Sequence, residues 1–164
     1  MKTLFLLLLS SVTILSHSQQ KSYYFTAEGG MEVSKTFSAD LSARAGGGVA
    51  FLPDLYAGAN AGFTLFSNKK QVSTPVSFSV RYMPQYQEGI SPYFAVEPGY
   101  QFYHDSNFDG QKNVETRGGL CLFAGGGMVY HYLTIGVGYS QFSWKIDGRP
   151  LTEHRLTGRL GVLF

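Results

Sequence analysis

The feature that most constrains the fold of this chain is a repeated alternation of apolar residues with small or polar ones. The clearest example is the segment VSFSVRY at 76–82, where valine, phenylalanine and tyrosine alternate with serine and arginine. An extended strand with this pattern has one apolar face and one polar face. We predict eight such strands, over residues 22–30, 41–52, 55–66, 75–83, 92–103, 118–129, 132–145 and 154–164.

The composition of the two faces indicates that the apolar face points outward. A soluble barrel would carry Lys, Glu and Asp on its outer face, and no predicted strand has such a face. Charged residues make up 15% of the chain, against roughly 25% in an ordinary soluble domain. Each predicted strand has about the 9–11 residues, or slightly more, that a tilted strand needs to cross a bilayer. The predicted fold class is therefore all-β, an eight-stranded antiparallel up-and-down transmembrane β-barrel.

The connections between the predicted strands alternate in length. Pro53-Asp54 and Tyr130-His131 form tight turns and residues 85–91 a modest one, whereas the other connections are longer and polar, at 32–40, 67–74, 104–117 and 146–153. Short turns at one end and longer loops at the other are typical of bacterial outer-membrane barrels, with the short turns in the periplasm.

The first residues predict export from the cytoplasm. Lys2 gives a basic start, residues 4–15 are almost wholly apolar, and Ser16-His17-Ser18 supplies small residues at a cleavage site. We expect a signal peptide over 1–18, a single barrel domain over 19–164, and a location in the cell outer membrane. Cys121 is the only cysteine, so a disulfide within one molecule is excluded.

The uncharged stretch at 120–139 is long enough for a transmembrane helix. Its glycines at 125–127, 136 and 138, with an aromatic and histidine turn in the middle, instead favour two strands joined at a turn.

The strand alternation also predicts a polar interior. Six residues have the odd or even strand position (the parity) of the polar face, so we predict that they point inward and form a polar network. They are Glu28, Arg44, Arg81, Glu97, Gln101 and Arg159. A charge that faced lipid at the bilayer midplane would cost about 2–4 kcal/mol, which favours the inward direction. The alternative is that some of these residues lie at a rim and face solvent.

Aromatic residues cluster near the predicted strand ends and resemble two girdles at the bilayer interfaces. One group consists of Tyr23, Phe51, Tyr82, Tyr86, Tyr93, Tyr130 and Phe164, and the other of Phe63, Phe66, Phe102, Phe142 and Trp144. The alternative is that they form the core of a soluble sandwich.

The segment RLTGRLGVLF at 155–164 carries a family resemblance, together with the leader and the eight alternating segments. The mature chain resembles the small eight-stranded outer-membrane barrels, which include the OmpX-like and OmpA-like barrel domains. In that family a terminal Phe preceded by alternating apolar residues is the signal that the barrel-assembly machinery recognises. Here those residues are Leu156, Leu160, Val162 and Phe164, and Gly158 departs from the apolar pattern.

The resemblance implies a monomeric, non-enzymatic integral outer-membrane protein, either structural or acting in adhesion or surface binding through its extracellular loops. The expected partners are outer-membrane lipids, lipopolysaccharide, the barrel-assembly machinery and an unidentified extracellular ligand. No cofactor is expected. A net charge of +2 and the lack of a basic run with interleaved aromatics argue against nucleic acid.

One cluster suggests an enzyme instead. The sequence His104-Asp105-Ser106-Asn107 is similar to the motif of outer-membrane lipid A deacylases, in which His acts as the base and Ser as the nucleophile. Glu115 is the candidate acidic residue. The motif of that family lies close to the chain end, whereas three more predicted strands follow it here, and the segment also has the composition of an ordinary polar loop.

Two weaker signals lie in the predicted loops. The spacing of Asp105, Asn107, Asp109 and Gly110 resembles the start of a calcium loop, but the later ligands of that motif are lacking, so no metal site is predicted. Five cations on the long-loop side can meet lipopolysaccharide phosphates or remain solvated, and these are Lys69, Lys70, Lys112, Lys145 and Arg149.

Overall fold

The chain forms a closed barrel of eight strands. The computed structural model describes residues 23–34, 39–67, 71–84, 90–105, 116–146 and 149–164. The strands are β1 (Tyr23–Ser34), β2 (Ala39–Leu52), β3 (Leu55–Phe66), β4 (Gln71–Tyr82), β5 (Ile90–Asp105), β6 (Thr116–Tyr130), β7 (Leu133–Ile146) and β8 (Arg149–Leu163). Each pairs antiparallel with the next, and β8 pairs with β1. The predicted fold class is confirmed, while the predicted signal peptide lies outside the described residues.

The strands are strongly tilted with respect to the barrel axis. The stagger can be followed from Arg155 in β8 by stepping from each residue to its paired residue on the next strand. After β7, β6 and the remaining strands down to β2, this path arrives at Tyr24 in β1. Arg155 itself pairs with Ser34, ten residues further along β1. Eight strands with this stagger lean by about 35–45° and enclose a space just wide enough for their own side chains.

Several strands extend further toward the long-loop end than the alternation predicts. The predicted loops at 32–40, 67–74 and 146–153 were wrong in part, because β1 continues to Ser34, β4 starts at Gln71 and β8 starts at Arg149. Toward the long-loop end of the strands, the outward residues are no longer consistently apolar. The hydrogen-bonded ladders continue past this point as extended hairpins, so the apolar pattern ends before the strand does.

Tight turns join β2 to β3 and β6 to β7. Asp54 and His131 have positive φ angles of 61° and 53°, which two-residue hairpin turns commonly require. The second turn occupies residues 131–132, one residue later than predicted. Residues 120–139 therefore form a hairpin, and in the described parts of the chain no helix is long and apolar enough to cross a membrane.

The outer wall of the barrel is apolar. Each strand exposes at least one large apolar side chain, and examples in strand order are Phe25, Leu41, Phe63, Phe78, Phe94, Leu120, Val137 and Leu160. Every described Asp, Glu, Lys or Arg side chain within the eight strands lies on the opposite, inner face. The wall therefore presents an uncharged apolar belt.

The residues of the predicted aromatic girdles lie on the outer face at seven described positions and on the inner face at three, and their place at bilayer interfaces stays a prediction. Seven of the aromatic side chains lie outward, namely Tyr23, Phe51, Tyr82, Tyr130, Phe164, Phe63 and Phe102. Tyr93 and Phe142 are only 4% and 3% exposed, and Phe66 also points inward, because all three share strand parity with inward polar residues. Tyr86 and the side chain of Trp144 fall outside the described part.

Inner aromatic side chains pack closely against glycines of the wall. A Cβ at Gly138 would collide with the ring of Phe123, and one at Gly136 would collide with the hydroxyl of Tyr93. At Gly158, on the outer face, a Cβ would meet no protein atom within 4 Å. The glycines of β7 thus make room for the rings that fill the interior.

We predict that Gly138→Ala lowers the free energy of unfolding by about 1–3 kcal/mol, because the added methyl overpacks the interior against Phe123. Gly158→Ala is the matched control and should stay within about 0.5 kcal/mol of the wild type. Urea unfolding of the barrel in lipid vesicles measures both. Equal stability of the two variants would contradict the packing argument.

Candidate functional site

The interior of the barrel is filled by charged side chains from five strands. The carboxylates come from β1, β2, β5 and β8, and the guanidinium groups from β2, β4 and β8. The group divides into a central cluster around Glu97 and an upper cluster around Arg155, nearer the long-loop end. We call the two together the interior network.

Glu97 is the centre of the central cluster and is only 1% exposed. Its carboxylate is approached by Arg159 Nη1 at 2.9 Å, Arg44 Nη1 at 3.1 Å, Arg81 Nη2 at 3.2 Å and Asn60 Nδ2 at 3.1 Å. These donors come from four different strands. One carboxylate thus joins β2, β3, β4 and β8 to β5.

Glu28 supplies the second carboxylate of the central cluster. Its Oε1 lies 2.9 Å from Arg81 Nη2, and its Oε2 lies 3.5 Å from Arg159 Nη1. Because Glu28 belongs to β1 and Arg159 to β8, this ion pair spans the strand pair that closes the barrel. The β1–β8 seam is therefore held by charge as well as by its backbone ladder.

Arg155 organises the upper cluster. Its guanidinium lies 2.7 Å from Asp40 Oδ2, 3.4 Å from Glu32 Oε2 and 3.0 Å from Glu153 Oε1. Arg44 connects the two clusters, because its Nη2 lies 3.4 Å from Glu32 Oε1 while its Nη1 contacts Glu97. The interior network is thus continuous from the barrel centre toward its long-loop end.

Five of the six predicted interior residues meet in the central cluster, which are Glu28, Arg44, Arg81, Glu97 and Arg159. Gln101 is buried as well, but its amide donates to the Ser73 hydroxyl and it contacts none of these charges.

Sequence reasoning missed the upper cluster because Glu32, Asp40 and Glu153 fell in predicted loops. Parity gave a usable signal, since Glu32 follows Glu28 by four residues and Arg155 precedes Arg159 by four. In a strand each of these pairs shares one face.

Aromatic rings pack against the guanidinium groups and fill the remaining space. The Arg159 guanidinium carbon lies 3.3 Å from the ring centre of Phe123, and that of Arg155 lies 4.9 Å and 5.1 Å from Phe66 and Phe142. These are cation–π distances. A cavity beside Arg44 and Glu97 has room for about one water molecule.

The residues of the predicted catalytic cluster are only partly described. The His104 ring lies at the long-loop end of β5, with Nε2 3.4 Å from Thr74 Oγ1, and strand parity places it on the outer face with Phe102. Ser106 and Glu115 lie outside the described residues, as do the side chain of Asp105 and residues 107–110 of the calcium-like segment. Among the described residues, no cluster of three His, Cys, Asp or Glu is placed to hold a metal ion.

The predicted lipopolysaccharide cations also fall largely outside the description. Lys69, Lys70 and Lys112 are not described, and for Lys145 and Arg149 only the backbone is. Their contact with lipid phosphates stays a prediction.

The end of β8 is paired rather than free. Phe164 N donates to Phe25 O at 2.9 Å, and Phe25 N donates to Phe164 O at 3.1 Å. Leu156, Leu160 and Phe164 are exposed on the outer face, and Val162 shares their parity. The alternating apolar residues of the predicted assembly signal are thus presented on the outer wall, and their recognition by assembly machinery stays a prediction.

Known structures with the same architecture cover nearly the whole barrel. The chain is similar to Neisserial surface protein A, with a TM-score of 0.59 and 16% identity over 88% of this chain and 98% of that one. It is also similar to the N-terminal β-barrel domain of Pseudomonas aeruginosa OprF, with a TM-score of 0.54 and 14% identity over 88% and 98% of the two chains. The chain has the fold of the small eight-stranded outer-membrane barrels.

An enzyme shares this barrel fold. The outer-membrane enzyme PagL matches with a TM-score of 0.52 and 12% identity over 82% of this chain and 97% of that one. No protein-family model and no curated protein matches the sequence. At such identities the likeness concerns the barrel fold and does not extend to activity.

We predict that Glu97→Gln destabilises the barrel by about 3–5 kcal/mol, because it leaves three buried arginines short of their shared counter-charge. Glu153→Gln is the matched control. The Glu153 side chain is 30% exposed and bonds only the upper cluster, so its loss should cost less than about 1 kcal/mol. Urea unfolding in vesicles compares the two variants, and a Glu97→Gln protein as stable as Glu153→Gln would show that the central cluster contributes little.

Proposed function

We propose that this protein is an integral outer-membrane protein, oriented with its tight turns in the periplasm and its longer connections at the cell surface. The observation that supports this most directly is the uncharged apolar belt around a charged interior. Such a wall is unfavourable in water, whereas in a bilayer every backbone group is paired and every charge is inside.

We infer that the barrel acts as a stable anchor and not as a diffusion pore. The interior network and the rings against it occupy the lumen from the level of Glu97 to that of Arg155. An eight-stranded barrel offers little further width. Function then belongs to the surface connections, of which the longest between described strands is 106–115. A structural or surface-binding role, including adhesion, fits this arrangement.

The anchor proposal predicts that the folded protein remains with outer-membrane fractions after carbonate washing. In planar bilayers it should give no large, stable conductance, because the charged side chains are held in the lumen by mutual ion pairs. A porin inserted under the same conditions is the positive control. Stable porin-sized currents from the purified protein, or its release by carbonate, would contradict the proposal.

A second candidate is a lipid A deacylase-like esterase that uses His104 and Ser106, with Glu115 as the acidic residue. Two observations favour it, namely the outward position of His104 at the loop end of β5 and the shared fold with an outer-membrane enzyme. On a membrane-facing wall, an imidazole at this level is within reach of lipid ester bonds.

The esterase candidate predicts that purified wild-type protein releases ester-linked fatty acid from lipopolysaccharide and that Ser106→Ala abolishes the release. Mass spectrometry of the lipid measures the lost acyl chain. His131→Asn, at the opposite end of the barrel, should release as much fatty acid as the wild type. If the wild-type protein releases none, the anchor role stands alone.

A further inference from the structure

Apart from the outward His104 on β5, the apolar belt is also interrupted by polar side chains on β7 and β8. Tyr139 and Gln141 in β7 and His154 in β8 all lie on the outer face by strand parity. The register partner of Gln141 on β6 is Leu122, and the next outward residue of β6 is the strongly exposed Leu120. The three polar side chains therefore lie at the height of the apolar belt and not above its long-loop edge. We call these three residues the outer polar patch.

Hydrogen-bond donors of the outer polar patch are left without protein partners. The Tyr139 hydroxyl bonds His154 Nδ1, and the two rings stack with centroids 5.6 Å apart. If the phenol donates, His154 Nε2 carries a free N–H, and if Nδ1 donates, the phenol O–H is free. The Gln141 amide forms no hydrogen bond to another described residue. Polar groups left unpaired against hydrocarbon are costly, so a partner from the membrane is favoured.

The charge surroundings favour an anionic partner. Glu153, the carboxylate nearest in sequence, points inward and is bound to Arg155. None of the described carboxylates of the strands lies on the outer face. The patch thus combines two or more donors with no competing acidic group, and the phosphate oxygens of a lipid headgroup are strong acceptors for such donors.

A notch in the wall lies below the outer polar patch. Gly158 is the position that departs from the apolar pattern of the last strand, and a Cβ there would meet no protein atom within 4 Å. Leu156 and Leu160 lie above and below it, and its register partners are Val137 and Met31. The notch is wholly apolar, which suits a hydrocarbon chain descending from a headgroup bound at the patch.

We propose that the outer polar patch and the Gly158 notch form a binding site for an anionic phosphate-bearing lipid of the outer leaflet. The donors of Tyr139, Gln141 and His154 bind the phosphate, and one acyl chain lies over Gly158. This site rests on the proposed membrane location, and it adds a lipid class and a position on the wall.

Native mass spectrometry of the folded protein, titrated with bisphosphorylated lipid A, with phosphatidylcholine or with diacylglycerol, tests the site. The wild type should bind lipid A more tightly than phosphatidylcholine, because lipid A carries two phosphates and no compensating cation. His154→Phe and Gln141→Leu should each weaken lipid A binding by about tenfold, as expected for one hydrogen bond to a charged group, and should leave the binding of diacylglycerol, which has no phosphate, unchanged. Gly158→Leu should weaken the binding of all three lipids, because it fills the notch.

Two matched controls separate the site from general effects. His131→Asn removes a histidine at the tight-turn end, and Ala61→Leu, three strands away on β3, gives the outer face the same leucine side chain as Gly158→Leu. Both should bind lipid A as the wild type does. The difference in gel mobility between unheated and boiled samples verifies that each variant is folded.

Failure of this site is distinguishable from failure of the membrane proposal. A wild-type protein that does not insert into vesicles contradicts the membrane location itself. A protein that inserts, but binds lipid A and phosphatidylcholine equally or binds lipid A unchanged in His154→Phe and Gln141→Leu, overturns the site and leaves the anchor role intact.

Discussion

In the bilayer proposed for this protein, the structure depends on the cost of placing an ionised side chain against hydrocarbon. A charge near the bilayer midplane costs about 2–4 kcal/mol on a barrel wall, and nine charged side chains described in these strands would make an outward arrangement untenable. Because strand residues alternate between two faces, turning the charges inward turns every second apolar residue outward. The apolar belt and the interior network therefore both follow from the inward direction of the charged residues.

Turning charges inward is favourable only if they satisfy one another. A lone ion in a dry lumen is more costly than a paired one, so the barrel needs carboxylates and guanidinium groups at matching heights. Glu97 achieves this by accepting from three arginines, and Arg155 by donating to three carboxylates. The interior network links strands that share no backbone ladder, such as β5 and β8. A barrel filled this way resists deformation across its width as well as along its wall.

Much of the fold and of the interior network is predictable from the sequence, and the wrong predictions have identifiable physical causes. Alternation located all eight strands, and parity placed Glu97 and Arg159 inside. It could not show that they touch, because their meeting depends on the ten-residue stagger of the closed barrel, which no single strand encodes. The predicted strand ends are wrong where the outward apolar pattern weakens before the hydrogen-bonded ladder ends, so alternation assigns Glu32 and Asp40 to a loop. Tyr93 was predicted at the interface because aromatic rings are common there, although its parity matches that of Glu97.

The ion pairs across the β1–β8 seam also bear on the order in which the chain is made. Glu28 and Glu32 are synthesised more than a hundred residues before Arg155 and Arg159, their partners at the seam. Until the last strand exists, the carboxylates of the first strand lack these counter-ions and are most favourably left hydrated. Arg81 and Arg44 already lie beside Glu28 and Glu32, so closing the cylinder with β8 is the event that completes the neutralisation of the first strand.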